Sequence, residues 1–171
     1  LTENECSTIG TELVHALTRA IMGPAPEPAL WEVDANLRPE GKDGPLVRTV
    51  ESYVQYYKRW AENWEFQALL KARPIAGSAQ LGARYARAID PFVWESAARE
   101  SFVESVQAMR ARVTDNIPSH QVDRQIKLGP GGLRDIEFTV QLLQLVHGRT
   151  DPAVRTKSTV DSLAALTAVS Y

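Results

Sequence analysis

The run IKLGPGGLRDIEF, residues 126–138, gathers three glycines and a proline with Lys127, Arg134, Asp135 and Glu137, then passes into an apolar helical pattern. Glycine admits backbone conformations closed to other residues and lets a chain approach a ligand closely. A helix beginning near Gly132 would aim N–H groups and a partial positive charge at whatever precedes it. Lys127 and Arg134 would add full charges. Lys127, Gly129, Gly131, Gly132 and Arg134 are therefore candidates for holding an anion. The two acids point a second way, towards a metal. On a regular helix, however, Asp135 and Glu137 diverge by about 200° and cannot chelate one ion together. Asp135 in the first turn also suits the helix dipole. Glu137 aligns with Arg134, Gln141 and Gln144 in a polar stripe that needs polar partners. A capped helix start is the plainer alternative. The Gly-Lys-Ser/Thr ending of a P-loop is absent.

A second group surrounds Asp34. The stretch WEVDANLRP alternates, with Trp31, Val33, Ala35 and Leu37 against Glu32, Asp34, Asn36 and Arg38. That alternation predicts a strand with a carboxylate-bearing polar face. Such a face suits Mg²⁺, which prefers carboxylate oxygens, although a two-metal phosphoryl site normally draws carboxylates from more than one strand. A solvent-facing edge strand would look the same. Arg38, Lys42 and Arg48 flank Gly41 and Gly44, and basic side chains on such a loop can clamp phosphates or simply keep it soluble. In WEFQALLKAR, Gln67 and Lys71 share a helix face, with Glu65 and Arg73 beside them. Lys71 and Arg73 are further phosphate candidates, with a solvated, ion-paired face as the alternative. His15, His120 and His147 are scattered without metal-like spacing. Cys6 has no activating neighbour, and there is no serine-hydrolase elbow.

These residues must be positioned by helices. Ile9, Leu13, Leu17 and Ile21 recur at four-residue spacing over 8–22, and the prolines of GPAPEPAL should stop that helix. A single strand over 31–38 cannot satisfy its own backbone ladder, so its partners are expected outside this chain. Thr49 looks like an N-cap. From it Val50, Tyr53, Tyr57, Trp60 and Trp64 predict one long helix running to Pro74. Further helices are expected over 78–89, 100–114, 133–147 and from Thr159 onward, with DNIPSHQVDRQ as a polar connector.

The 171 residues suit one domain or two small ones. The chain is 44% apolar and 23% charged, with 19 basic and 21 acidic side chains and a net charge of −2. That balance lacks the basic excess of a nucleic-acid binder, and no apolar run is long enough to span a bilayer. One cysteine excludes an internal disulfide and fits a reducing compartment. The start at Leu1 and the lone strand predict a piece of a longer protein.

Three segments, VDANLRPEGKDGPLV, WEFQALLKARPIAG and KLGPGGLRDIEFTVQLLQLVHGR, together resemble the bifunctional glutamine synthetase adenylyltransferase/adenylyl-removing enzymes, in matching order over nearly the whole chain. The resemblance implies a cytoplasmic, Mg²⁺-dependent nucleotidyltransferase serving nitrogen regulation. One half of that enzyme transfers AMP from ATP to a tyrosine of glutamine synthetase. The other half removes it with phosphate, giving ADP. PFVW, VQAMRARV and KLGPGGLRDIEF look more like the amino-terminal, removing half. Asp34 resembles the third metal-binding carboxylate of that fold and would be catalytic in that role. The first two belong to a Gly-Ser…Asp-x-Asp motif that does not occur here. Arg38 matches the arginine of the family's LRP. Lys127, Arg134, Asp135 and Glu137 match a motif that in the family lies close to the active cleft. The implied fold is mainly α with an α+β remnant. Residues 1–48 would be the C-terminal edge of a nucleotidyltransferase palm, and 49–171 an incomplete helical bundle. Implied partners are glutamine synthetase, the PII signalling protein, ATP, ADP and phosphate. A non-catalytic helical module docking glutamine synthetase, PII or the other enzyme half is the competing expectation.

Overall fold

The computed structural model describes residues 2–23 and 28–171. The expected stop at Pro24 and Pro26, like Leu1, lies outside them. Among the described residues the chain is built from α-helices and short 3₁₀ turns, with no strand. The chain divides into two compact units, residues 1–59 and 60–171.

In the first unit, α1 spans Glu3–Met22. Its start is earlier than the periodicity suggests, because Thr2 and Glu5 form a reciprocal capping box. Its apolar stripe is open to solvent, with Leu13 65% exposed and Ile9 and Leu17 also exposed. The strand expected over 31–38 does not form: the segment is irregular. Alternation alone cannot hold a strand without a neighbour's hydrogen bonds, and here local polar contacts take over. Asp34 Oδ1 accepts the Asn36 N–H at 2.8 Å, an Asx turn. The tight turn that follows puts Glu40 (φ +63°) and Gly41 (φ +56°) in the left-handed region. The unit closes with α2, Val50–Arg59, whose Tyr57 is buried.

In the second unit the long helix expected from Thr49 to Arg73 is broken. Trp60 is 73% exposed at the break, and α3 begins afresh at Asn63–Leu69. Glu62 is its N-cap, in a capping box with Glu65. Helix α4 (Ala79–Glu95) runs through Pro91 rather than stopping at Ile89. A proline inside a helix forfeits a backbone bond. The turn beyond it is nevertheless held by buried Val93 and Trp94, with the Trp94 indole N–H donating to Asp90 at 2.9 Å. Three further helices follow: α5 (Phe102–Asp115), α6 (Leu133–His147) and α7 (Thr159–Ala168). Phe66 of α3 and Leu70 just after it, Ile89 and Val93 of α4, Phe102 and Val106 of α5, Leu145 of α6 and Leu166 of α7 are all buried. Gln144 is buried too, and its amide donates to the carbonyls of Val154 (2.7 Å) and Thr156 (3.0 Å). It thereby fixes the loop between α6 and α7.

Candidate functional site

The glycine turn before α6 is closed on itself. The Gly129 N–H donates to Gln125 O (2.7 Å), Gly132 to Gly129 O (3.0 Å), Leu133 to Ile126 O (3.0 Å) and Arg134 to Lys127 O (2.9 Å). The Gly131 N–H donates to the Asp135 carboxylate at 2.6 Å. The N–H groups expected to await an anion are therefore already engaged, and Asp135 itself supplies the negative charge at the helix start. Each glycine has a steric reason to be there. Gly131 has φ +71°. A Cβ at Gly129 would lie 2.7 Å from Gln125 O, and one at Gly132 would lie 2.5 Å from Ile126 O.

Asp135 is also clasped by Arg110 of α5, whose Nε bonds its other oxygen. Arg110 Nη2 donates to the carbonyls of Leu128 (3.1 Å) and Gly129 (3.3 Å), and Nη1 to the Thr114 hydroxyl. Chiefly through the Arg110 hydrogen bond, and secondly that from Gly131, the Asp135 carboxyl titrates below its ordinary value of 3.8. Sequence reasoning missed Arg110. It sits 25 residues from its partner on a helix that reads as merely amphipathic, and only its presence in VQAMRARV marked it.

The polar stripe of α6 finds partners on α3 and on the turn just after it. Lys71 Nζ donates to Glu137 at 3.0 Å and to the Thr159 hydroxyl at 2.5 Å. The buried Gln67 amide donates to Gln141 at 2.9 Å. Glu65 and Gln67 are buried, so this face of α3 is a packed seam and not the solvated surface that its charges suggest. Arg134 lies 3.9 Å from Glu137 and over the Phe138 ring. Lys127 and Arg73 are exposed. Of the candidate cations in this unit, Lys127 and Arg73 thus face outward, whereas Arg134 is half-buried beside a carboxylate.

In the first unit Asp34 is exposed on its irregular segment, with one oxygen engaged by Asn36. Arg38 is a loop clamp. Its guanidinium donates to the carbonyls of Ala35 (2.7 Å), Lys42 (2.8 Å) and Gly44 (2.9 Å). Arg48 pairs with Glu40. The chain's own donor set does not fit a resident Mg²⁺. No group of three His, Cys, Asp or Glu side chains gathers among the described residues. Asp135 and Glu137 already face Arg110 and Lys71, and Asp34 offers a single carboxylate. No helix among the described residues is long and apolar enough to cross a membrane.

Comparison with known proteins turns these fragments into a class. Residues 2–88 match the family model described as glutamate-ammonia ligase adenylyltransferase. Residues 107–171 match the one described as PII-uridylyltransferase. Both descriptions are of nucleotidyl-transferring enzymes. The chain belongs to the glutamate-ammonia ligase adenylyltransferase family. The proteins to which it is similar include several named bifunctional glutamine synthetase adenylyltransferase/adenylyl-removing enzyme. That of Leifsonia xyli subsp. xyli is 64% identical over 163 residues, covering 95% of this chain and 16% of the relative. That of Streptomyces coelicolor is 57% identical over 169 residues, 99% of the chain and 17% of the relative. That of Mycobacterium bovis is 62% identical over 138 residues, 81% and 14%. The chain thus spans about a sixth of the length of the first two.

Proposed function

We propose that this chain is part of an enzyme that controls glutamine synthetase by adenylylation of a tyrosine, and that this segment serves the removing reaction. The identity to relatives named for both activities supports the class. The likeness of PFVW, VQAMRARV and KLGPGGLRDIEF to the amino-terminal half supports the direction. In removal, a phosphate oxygen attacks the AMP phosphorus, the tyrosine oxygen leaves with the bonding electrons, and ADP departs. Asp34 acts as a carboxylate of the catalytic set. Lys127 and Arg134 hold phosphate charge through their side chains, the turn's backbone donors being occupied, and Arg73 adds to the field. Mg²⁺ belongs to this proposal only if carboxylates beyond this chain join Asp34. The whole enzyme would work in the cytoplasm on ATP, ADP and phosphate.

The observation that carries this reading is the exposed Asp34 carboxylate within the residues matched by the family model. Replacing Asp34 with Asn in the full-length enzyme tests it. ADP release from adenylylated glutamine synthetase plus phosphate should be lost, with AMP incorporation from ATP intact. Loss of incorporation instead would assign the segment to the transferring half. Retention of both would favour a second reading, a helical module without chemistry that docks glutamine synthetase, PII or the other half. The match of residues 107–171 to a family named for PII lends that alternative its support.

A further inference from the structure

Arg110 reaches three places at once. Its side chain, 14% exposed, joins the Asp135 carboxylate, the Thr114 hydroxyl on its own helix, and the carbonyls of Leu128 and Gly129. Asp135 in turn takes the Gly131 N–H. The guanidinium and the carboxylate therefore brace residues 128–131 from opposite ends. Just outside the braced stretch, the Arg134 N–H bonds the Lys127 carbonyl at 2.9 Å. The backbones of the two cationic residues are consequently neighbours. The turn's own backbone bonds make this arrangement, and the Arg110–Asp135 clasp adds side-chain ties to a span that three glycines keep permissive.

We infer that Arg110 is a positioning residue that acts through Asp135 to present Lys127 and Arg134 as a preformed cationic pair for phosphate oxygens. This rests on the phosphate-binding role proposed above for those two side chains. Preforming the pair removes ordering cost from the binding step. Lysine cannot substitute at 110, because one ammonium cannot reproduce a planar fork that meets a carboxylate and two carbonyls together.

The test measures phosphorolysis against inorganic phosphate concentration in the full-length enzyme carrying Arg110→Lys, Lys127→Ala, Arg134→Ala or Gly131→Ala. Arg110→Lys should raise KM for phosphate about tenfold and lower the thermal midpoint, with kcat per folded molecule within about twofold. Gly131→Ala, which disturbs the turn while keeping every charge, should raise the same KM even if Arg110→Lys does not fold. Lys127→Ala and Arg134→Ala should raise it as well. If they do and the Arg110 and Gly131 variants leave KM at the wild-type value, the positioning role is wrong. It is also wrong if kcat falls in step with the folded fraction at unchanged KM, the signature of a purely structural clamp. If Lys127→Ala and Arg134→Ala both keep the wild-type KM, the phosphate assignment itself fails and takes the inference with it.

Discussion

Asp135 illustrates how a residue of obvious chemical interest can be spent on architecture. Its two oxygens meet Arg110 and the Gly131 N–H, and its carboxyl titrates below 3.8 because both partners favour the charged form, Arg110 the more. A carboxylate whose folded value is depressed adds stability that is complete above the unfolded value and fades as pH falls through the folded one. Replacing Asp135 with Asn should therefore destabilise the protein by up to about 1 kcal/mol at pH 7, the carboxylate being one-third exposed and its pairing with Arg110 partly screened. The gap to wild type should narrow as pH drops below about 4. Urea titrations of both proteins across that range would check it, and a gap that widens in acid would contradict it. In the sequence the charge at 135 and the glycines before it were plain, and so was the helix that follows. The closure was not legible, since it depends on Arg110 and on carbonyls that only the folded turn brings within reach.

At the level of elements, periodicity located helices well and misjudged their joints. Leu133–His147 came out with the bounds its pattern suggests. The break between α2 and α3 stayed hidden because Trp60 and Trp64 keep helical spacing, while the cue, Glu62 capping with Glu65, uses a residue seldom found as an N-cap. The pattern carried the fourth helix only to Ile89, yet it continues through Pro91 to Glu95, with Val93 and Trp94 buried beyond the proline. The alternation around Asp34 was a false signal, for a strand is a property of two segments and only one is present. The stripe on α6 was the better guide. Its members needed polar partners and have them in Lys71, Gln67 and the loop carbonyls of Val154 and Thr156. Exchanging Gln144 for Leu would strand those two carbonyls. It should cost about 1–3 kcal/mol, read as a lower denaturant midpoint at unchanged m-value, whereas a neutral outcome would mean that water replaces the amide.

For the whole molecule, what matters is how little of a catalytic apparatus one sixth of a relative contains. The family is secure from residues 2–88. Chemistry on a phosphorus bridging two oxygens needs several charges focused on one point, and among the described residues no three metal-ligating side chains gather. The 171-residue chain by itself should therefore release no ADP from adenylylated glutamine synthetase in the presence of phosphate and Mg²⁺. Turnover above the background of an Asp34→Asn control would overturn that expectation.

The bond between Arg110 and Asp135 closes 25 residues of sequence at their base. The outer part of that span, around Asn116 and Pro118, is exposed and irregular. The free energy of a closed flexible loop changes only slowly with its length, by about 0.6 kcal/mol per doubling. This is accordingly where the protein can absorb inserted residues, an epitope or a fluorophore while α6 keeps its place.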